Sequence, residues 1–388
     1  MPRWFYYLLI MAVVAPIISL LGGSGQELVI FICSGLALIP LAALIGRATE
    51  DLEYYVGPTA GGLLNATFGN APEIIIGIYA LNAGLLTVVK ASITGSIISN
   101  SLLVLGGSLA LGGWRWGEQY FNNRDAGQYS AMMVMAVAGL LIPFTASLAV
   151  KDSGSMQTIS VAVSIILLCV YIMYLALHIF HVRSIRRNPR SRRGMASPPP
   201  PSVADDEDEG DEVKIEKVEA VTGGLDPRDV GRRTPPPPWL SMLILLLVTI
   251  ATAWNSELLV GAIEPVAHQL GWSTVFIGLV IIPIIGNAAE HSSSLIVAYK
   301  DRVDLSMAIA AGSSIQVATF VAPLLVLVSL FYSQHLTLVF SPLELVVLSV
   351  ATILFTFVSL DGKSSWLAGM QLVAVYVMAC VVFFLLPG

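Results

Sequence analysis

The chain has 388 residues, 56% of them hydrophobic and only 12% charged, and its mean hydropathy is +0.79. Too few charges remain to cover several soluble units, so the composition predicts a polytopic membrane protein and excludes the two or three globular domains that length alone would suggest. A net charge of -6 argues against a nucleic-acid partner, which needs a basic face, and the isolated Cys33, Cys169 and Cys380 support neither a disulfide framework nor a zinc site.

A helix needs about 20 apolar residues to cross a bilayer core. Eleven runs of that order occur, at about 4–21, 28–46, 58–81, 85–111, 128–149, 157–181, 239–259, 273–298, 305–332, 342–359 and 365–386. The first could instead be a signal peptide behind Arg3, but it has no clear small-residue cleavage site, so a retained helix is expected. With eleven spans, the N-terminus shares one side of the membrane with the loops after even-numbered helices. That side carries Arg3, Arg47, Arg115, Arg124, Lys300, Arg302, Lys363 and all eleven basic residues of 183–233, leaving only Lys90 and Lys151 opposite. The excess of positive charge predicts a cytoplasmic N-terminus and an external C-terminus.

Residues 183–238 form the one soluble stretch. Arginines lead through Pro198 to Pro201 into the acidic run 205–212, and Pro235 to Pro238 close it. Its eleven basic and eleven acidic residues cancel, so the net charge belongs to the membrane part. The composition reads as a solvated linker, with an acidic funnel for cytosolic cations as the sharper alternative. The expected organisation is therefore an extra first helix (1–24), a five-helix unit (25–182), the linker (183–238) and a second five-helix unit (239–388).

An internal repeat relates the two units. Gly69-Asn70-Ala71-Pro72-Glu73 corresponds to Gly286-Asn287-Ala288-Ala289-Glu290 at an offset of 217, and at the same offset Gly95-Ser96-Ile97-Ile98-Ser99 falls on Gly312-Ser313-Ser314-Ile315-Gln316. The copies begin five spans apart, and an odd number reverses direction. Helices 2–6 and 7–11 are therefore predicted to be inverted-topology repeats, an arrangement found in secondary transporters.

Glu73 and Glu290 lie mid-span, where a carboxylate costs at least about 2.5 kcal/mol and usually marks an ion or proton pathway, the plainer alternative being a permanently protonated core glutamate. Each follows Gly-Asn with Pro72 or Pro283 nearby, which predicts broken helices with freed carbonyls at Phe68 and Leu279. Asn70 shares a helix face with Glu73, and Asn287 with Glu290. Ser96 with Ser99, and Ser313 with Gln316, are further oxygen donors on the next helices, although small residues there also serve close packing. This is a hard-oxygen set suited to Ca²⁺, with only His291 beside it as a softer ligand or a modulator of Glu290 protonation. One Ca²⁺ or two protons neutralise two carboxylates, so a carrier that rearranges only when its site is neutral would exchange one for the other. Glu50 and Glu257, near the ends of helices 2 and 7 on opposite sides, are candidate gating charges or simply headgroup-level residues.

Residues 61–73 and 286–291 resemble the two repeat motifs of the calcium/proton exchangers of the cation/Ca²⁺ antiporter superfamily, and Asp361 to Leu367 resembles that family's final-hairpin signature with Ser365 and Ala368 departing from it. The resemblance implies an all-α fold of eleven helices with a dispensable first one, an acidic stretch between helices 6 and 7, Ca²⁺ and protons bound by Glu73 and Glu290, and helices 2 and 7 as gates. Mn²⁺ or Cd²⁺ stay open as further substrates. No cofactor is implied beyond the transported ions, the partners are Ca²⁺, protons and the lipid bilayer, and self-association is left open. A Na⁺/Ca²⁺ exchanger is the nearest alternative, although Asn70 and Asn287 depart from its motifs, and a cation channel is a remoter one. An intramembrane enzyme would need a motif such as HExxH or GxSxG, neither of which occurs. A prokaryotic cell membrane is the expected location, with a vacuolar membrane as the alternative.

Overall fold

The computed structural model describes residues 7–22, 25–187 and 235–385, and nearly all of them are helical. Up to residue 187 come α1 (Met11–Leu21), α2 (Glu27–Phe68), α3 (Ala71–Asn82), α4 (Leu86–Trp116), α5 (Asn123–Ala149) and α6 (Ser153–Arg187). From residue 235 on come α7 (Pro238–Gly261), the short α8 (Ile263–Leu270), α9 (Thr274–Gly286), α10 (Ala288–Tyr299), α11 (Val303–Ser329), α12 (Pro342–Asp361) and α13 (Trp366–Leu385). Most of the linker expected at 183–238 lies outside the described residues.

Among the described residues, eight helices are long and apolar enough to cross a membrane, or nine when α9 and α10, bent by 60° at their junction, count as one span. The two further expected runs are shorter here for identifiable reasons. Residues 4–6 of the first lie outside the described part, leaving α1 with 11 residues. The run 58–81 is divided at Gly69 and Asn70 into the tail of α2 and the 12-residue α3. Gly57, at φ 81°, interrupts α2 with a left-handed turn that only glycine adopts without strain.

α4 and α11 form the centre. Their most apolar stretches are 83% and 67% buried, against 28% for α6 and α13, whose apolar faces suit lipid. Close approach on glycine draws the neighbours in, as expected where no hydrophobic effect acts between helices. A methyl on Gly106 of α4 would lie 2.7 Å from Leu372 Cβ of α13, and one on Gly278 of α9 would lie 2.8 Å from Ala91 Cβ of α4. At their polar end, β1 (Gln119–Tyr120) and β2 (Lys363–Ser364) pair antiparallel and tie α4 to the α12–α13 hairpin.

α2 and α7 pack side by side in opposite directions. Early in α2, Gly35 faces Leu259 late in α7, whereas Tyr55 late in α2 donates its hydroxyl to the carbonyls of Pro235 and Pro236 at the start of α7. Between them lies a hydrophobic cluster of their own, including Leu41, Ile45, Leu245 and Val248, on which Leu9 and Met11 of the α1 region also pack.

Three helices widen into π-turns, at Ser99–Val104 in α4, Ile277–Ile281 in α9 and Val317–Val321 in α11. In α9 and α11 the cause is Pro283 and Pro323 just beyond, which cannot donate to the helical ladder. The π-turns of α4 and α11 fall within one residue of each other when the 217-residue offset is applied.

Candidate cation site

The site forms where two helices break. Asn70 (φ -98°, ψ 13°) separates the end of α2 from α3, and Asn287 (φ -95°, ψ 11°) separates α9 from α10. Repeat-related residues thus leave the helix with the same backbone twist. The C-terminal ends of α2 and α9 bring partial negative charge to the breaks, which favours a cation, while Glu73 and Glu290 stand in the first turns of α3 and α10.

The two breaks meet. Glu73 Oε1 lies 3.5 Å from where a Cβ on Gly286 would be, so the first carboxylate rests against the second motif. Glu290 stands four residues after Gly286, in the first turn of α10. Each carboxylate holds one buried oxygen, Oε2, that no donor in the protein reaches, and Asn287 Oδ1 is a third such acceptor. Unsatisfied buried acceptors converging on one place are costly unless a cation or protons complete them. The oxygens present are hard ligands; among the described residues no group of three or more His, Cys, Asp or Glu gathers, so an ion here would rest on the carboxylates together with amide, hydroxyl and carbonyl oxygens.

The asparagines hold the facing helices. Asn70 Nδ2 donates to the Ala66 carbonyl (3.0 Å) behind it and to Gln316 Oε1 (2.7 Å) on α11. Asn287 Nδ2 donates to Ser96 Oγ (3.1 Å) on α4. These partners are not equivalent, because Gln316 corresponds to Ser99 in the repeat whereas Ser96 corresponds to Ser313. Ser99 turns back to the Ser96 carbonyl at 3.2 Å, and Ser313 receives Asn100 Nδ2 at 2.8 Å while its hydroxyl interacts with Glu290. A cleft lined by Glu73, Ser92, Ser96, Gly286 and apolar residues of α3, α9 and α11 reaches the first carboxylate.

Of the eight expected cation-site residues, Glu73 rests against the Gly286 break, Asn70 bonds Gln316 and Asn287 bonds Ser96, while Ser313 is bonded by Asn100 and Ser99 turns back to its own helix. His291 is next to Glu290, with Nε2 buried and unpaired. Glu50 and Glu257 are elsewhere, toward opposite ends of the antiparallel α2–α7 pair; Glu257 is exposed and lies near Tyr79. Asn100 was not anticipated. Its counterpart across the repeat is the apolar Val317, so a search by repeat passes over it, yet the run Ser99-Asn100-Ser101 in a mid-membrane helix was a signal.

Comparison with known proteins places this geometry. The profile of the family described as sodium/calcium exchanger protein matches residues 26–180 and 240–385. A protein named Ca²⁺/H⁺ antiporter from Aphanothece halophytica is 41% identical over 378 residues, covering 95% of this chain and 94% of that one. The vacuolar calcium ion transporter of Schizosaccharomyces pombe is 37% identical over 362 residues, 92% of this chain and 79% of its own. The solved structure of native YfkE superposes with a TM-score of 0.77 at 34% identity, covering 98% of this chain and all of that one.

Proposed function

Since the chain belongs to the sodium/calcium exchanger family, we propose that it is a secondary antiporter, not an enzyme, exchanging Ca²⁺ for protons across a membrane by alternating access. The observation that carries this reading is that Glu73 rests against the Gly286 break that leads into Glu290, each glutamate having a buried oxygen lacking a donor, at two matched helix breaks. Empty, such a site holds two like charges in a poorly solvating place; one Ca²⁺ or two protons make it neutral. Asn70 and Asn287 add amide oxygens or orient the facing helices, and Ser96, Ser99, Ser313 and Gln316 complete the polar wall. His291 would tune the proton affinity of Glu290 beside it.

Eleven spans arranged as inverted five-helix repeats, 25–182 and 239–388, with an extra helix at 1–24 and a cytosolic linker at 183–238, suit this activity. The matching twists at Asn70 and Asn287 and the matched π-turns of α4 and α11 support that arrangement, as do the two segments matched by the family profile. The antiparallel α2–α7 pair supplies the gates, with Glu50 and Glu257 at opposite mouths. The charge distribution supports a cytoplasmic N-terminus and an external C-terminus. Relatives occur in bacteria and in vacuolar membranes, and the cell membrane of a prokaryote is the location proposed here.

The test is uptake of radiolabelled Ca²⁺ into proteoliposomes under an imposed pH gradient, with a Na⁺ gradient in parallel. Uptake driven by the proton gradient is expected, abolished in Glu73→Gln and in Glu290→Gln. Uptake driven by Na⁺ alone would favour sodium coupling, the reading suggested by the family's name, and full activity of either glutamine variant would remove the carboxylate pair from the mechanism.

A further inference from the structure

One column of buried polar groups is left over by the cation site. One turn beyond Glu290 on α10 stands Ser294, fully buried, whose Oγ lies 2.7 Å from Ser306 Oγ on α11 and 3.0 Å from Ser108 Oγ on α4. All three hydroxyls are inaccessible. One turn further, Gln119 is 3% exposed and points its Oε1 at Gly112, the residue one turn after Ser108, while its Nε2 donates to Asp301 Oδ1 at 2.9 Å. Asp301 is exposed in the loop that follows α10. The column therefore runs from the site to the surface along one interface.

Its outer end carries a defect of its own. Gln119 Oε1 is a buried acceptor that no protein donor reaches, on the far side of the linked hydroxyls from Glu290. A hydroxyl both donates and accepts, so a row of them can relay a proton, whereas serines placed only for close packing require neither mutual hydrogen bonds nor an unsatisfied amide beyond them. One water in each one-turn gap would satisfy Gln119 Oε1 and join the pieces. The cleft that reaches Glu73 is lined by none of these residues.

We propose that Ser294 and Ser108, with Ser306 bonded to Ser294 at the side and Gln119 holding the outermost water, form a proton route between the site and the surface at Asp301, distinct from the cleft that reaches Glu73. This rests on the Ca²⁺/proton exchange proposed above. No bond is broken beyond O–H exchange: Ser294 and Ser108 each pass their own proton on and receive the next, Ser306 holds the Ser294 hydroxyl in place, and Gln119 orients water without giving up a proton.

The test compares two transport modes of the full-length protein in proteoliposomes. Ca²⁺/proton exchange needs the route, and Ca²⁺/Ca²⁺ exchange at equal pH on both sides does not. Ser294→Ala/Ser306→Ala is expected to slow the first by about tenfold or more, in keeping with the loss of a positioned proton-transfer group, and to leave the second unchanged. Should that variant fail to reconstitute, Gln119→Met, which keeps most of the side-chain volume, provides the same comparison from the other end. Both modes falling together, or neither changing, would overturn the route and leave the serines as packing. Absence of proton-driven uptake in the unmodified protein would instead strike the underlying reading.

Discussion

Replacing Gly286 with alanine should separate folding from ion binding. A Cβ on Gly286 would meet Glu73 Oε1 at 3.5 Å, Cδ at 3.8 Å and Cγ at 3.9 Å, all ordinary van der Waals distances, so the methyl fits. Exchanging a helical glycine for alanine also favours the helix by about 0.5–1 kcal/mol. The same methyl occupies the space between the first carboxylate and the second motif, where the cation is proposed to sit. If it moves a Ca²⁺ from about 2.4 Å to about 3.4 Å from one carboxylate oxygen, the lost attraction at an effective dielectric of about 20 is about 4 kcal/mol, roughly a thousandfold in affinity. Gly95→Ala is the matched control. There a methyl would lie 2.7 Å from the Leu279 Cα and carbonyl carbon, backbone that cannot rotate aside, and overpacking of this kind costs about 1–3 kcal/mol. Thermal melting in detergent together with Ca²⁺ binding by calorimetry should show a stable Gly286→Ala protein that binds poorly, and a Gly95→Ala protein that melts early. Normal affinity in Gly286→Ala would refute the placement of the ion, and an unaltered melt in Gly95→Ala would refute the contact between α4 and α9.

Gln316→Ala should leave the buried Asn70 amide short of one acceptor, costing about 1–3 kcal/mol of stability seen as an earlier melt, and should weaken transport more than Ser99→Ala, whose hydroxyl bonds only its own helix. Neutralising Glu50 or Glu257 to glutamine should impair Ca²⁺ loading from one side only, a different side for each, in vesicles of known orientation; equal effects from both sides would leave them as headgroup-level charges. Replacing the nine acidic residues of 205–219 with serine should raise the apparent KM for Ca²⁺ at low salt and little at physiological ionic strength, where exposed charges are screened beyond about 8 Å. A loss of activation that persists at high salt, measured by initial rates at two ionic strengths, would point to a specific sensor instead.

The helices were legible because long apolar runs bounded by charge and glycine have few other readings, and the breaks because Gly-Asn followed by a glutamate recurs at a fixed offset beside proline. Glu73 and Glu290 stood out by the cost of a carboxylate in an apolar span. What could not be read were pairings across the fold. The bonds from Asn70 to Gln316 and from Asn287 to Ser96 join residues 246 and 191 apart, and no local pattern chooses between Ser96 and Ser99 as a partner. The π-turns were hidden for a related reason: Pro283 and Pro323 announce a fault in the ladder, but whether it becomes a kink or a widened turn depends on the neighbouring helix. Gln119, predicted for no role, joins the buried column only because the strand pair β1–β2 folds it back under α4.

The unequal bonding of Asn70 and Asn287 has a mechanical meaning. Each asparagine faces a helix that offers two notches three residues apart, Ser313 and Gln316 for Asn70, Ser96 and Ser99 for Asn287. In this structure one asparagine engages the farther notch of its helix and the other the nearer. If the two halves trade conformations when the carrier turns over, each asparagine must step to its other notch, a travel of about one helical turn, or roughly 5 Å. The pair then works like the pallets of an escapement. In the arrangement seen here one is engaged one tooth ahead of the other, and bringing both to the same register would take one of them off its present partner, Gln316 or Ser96.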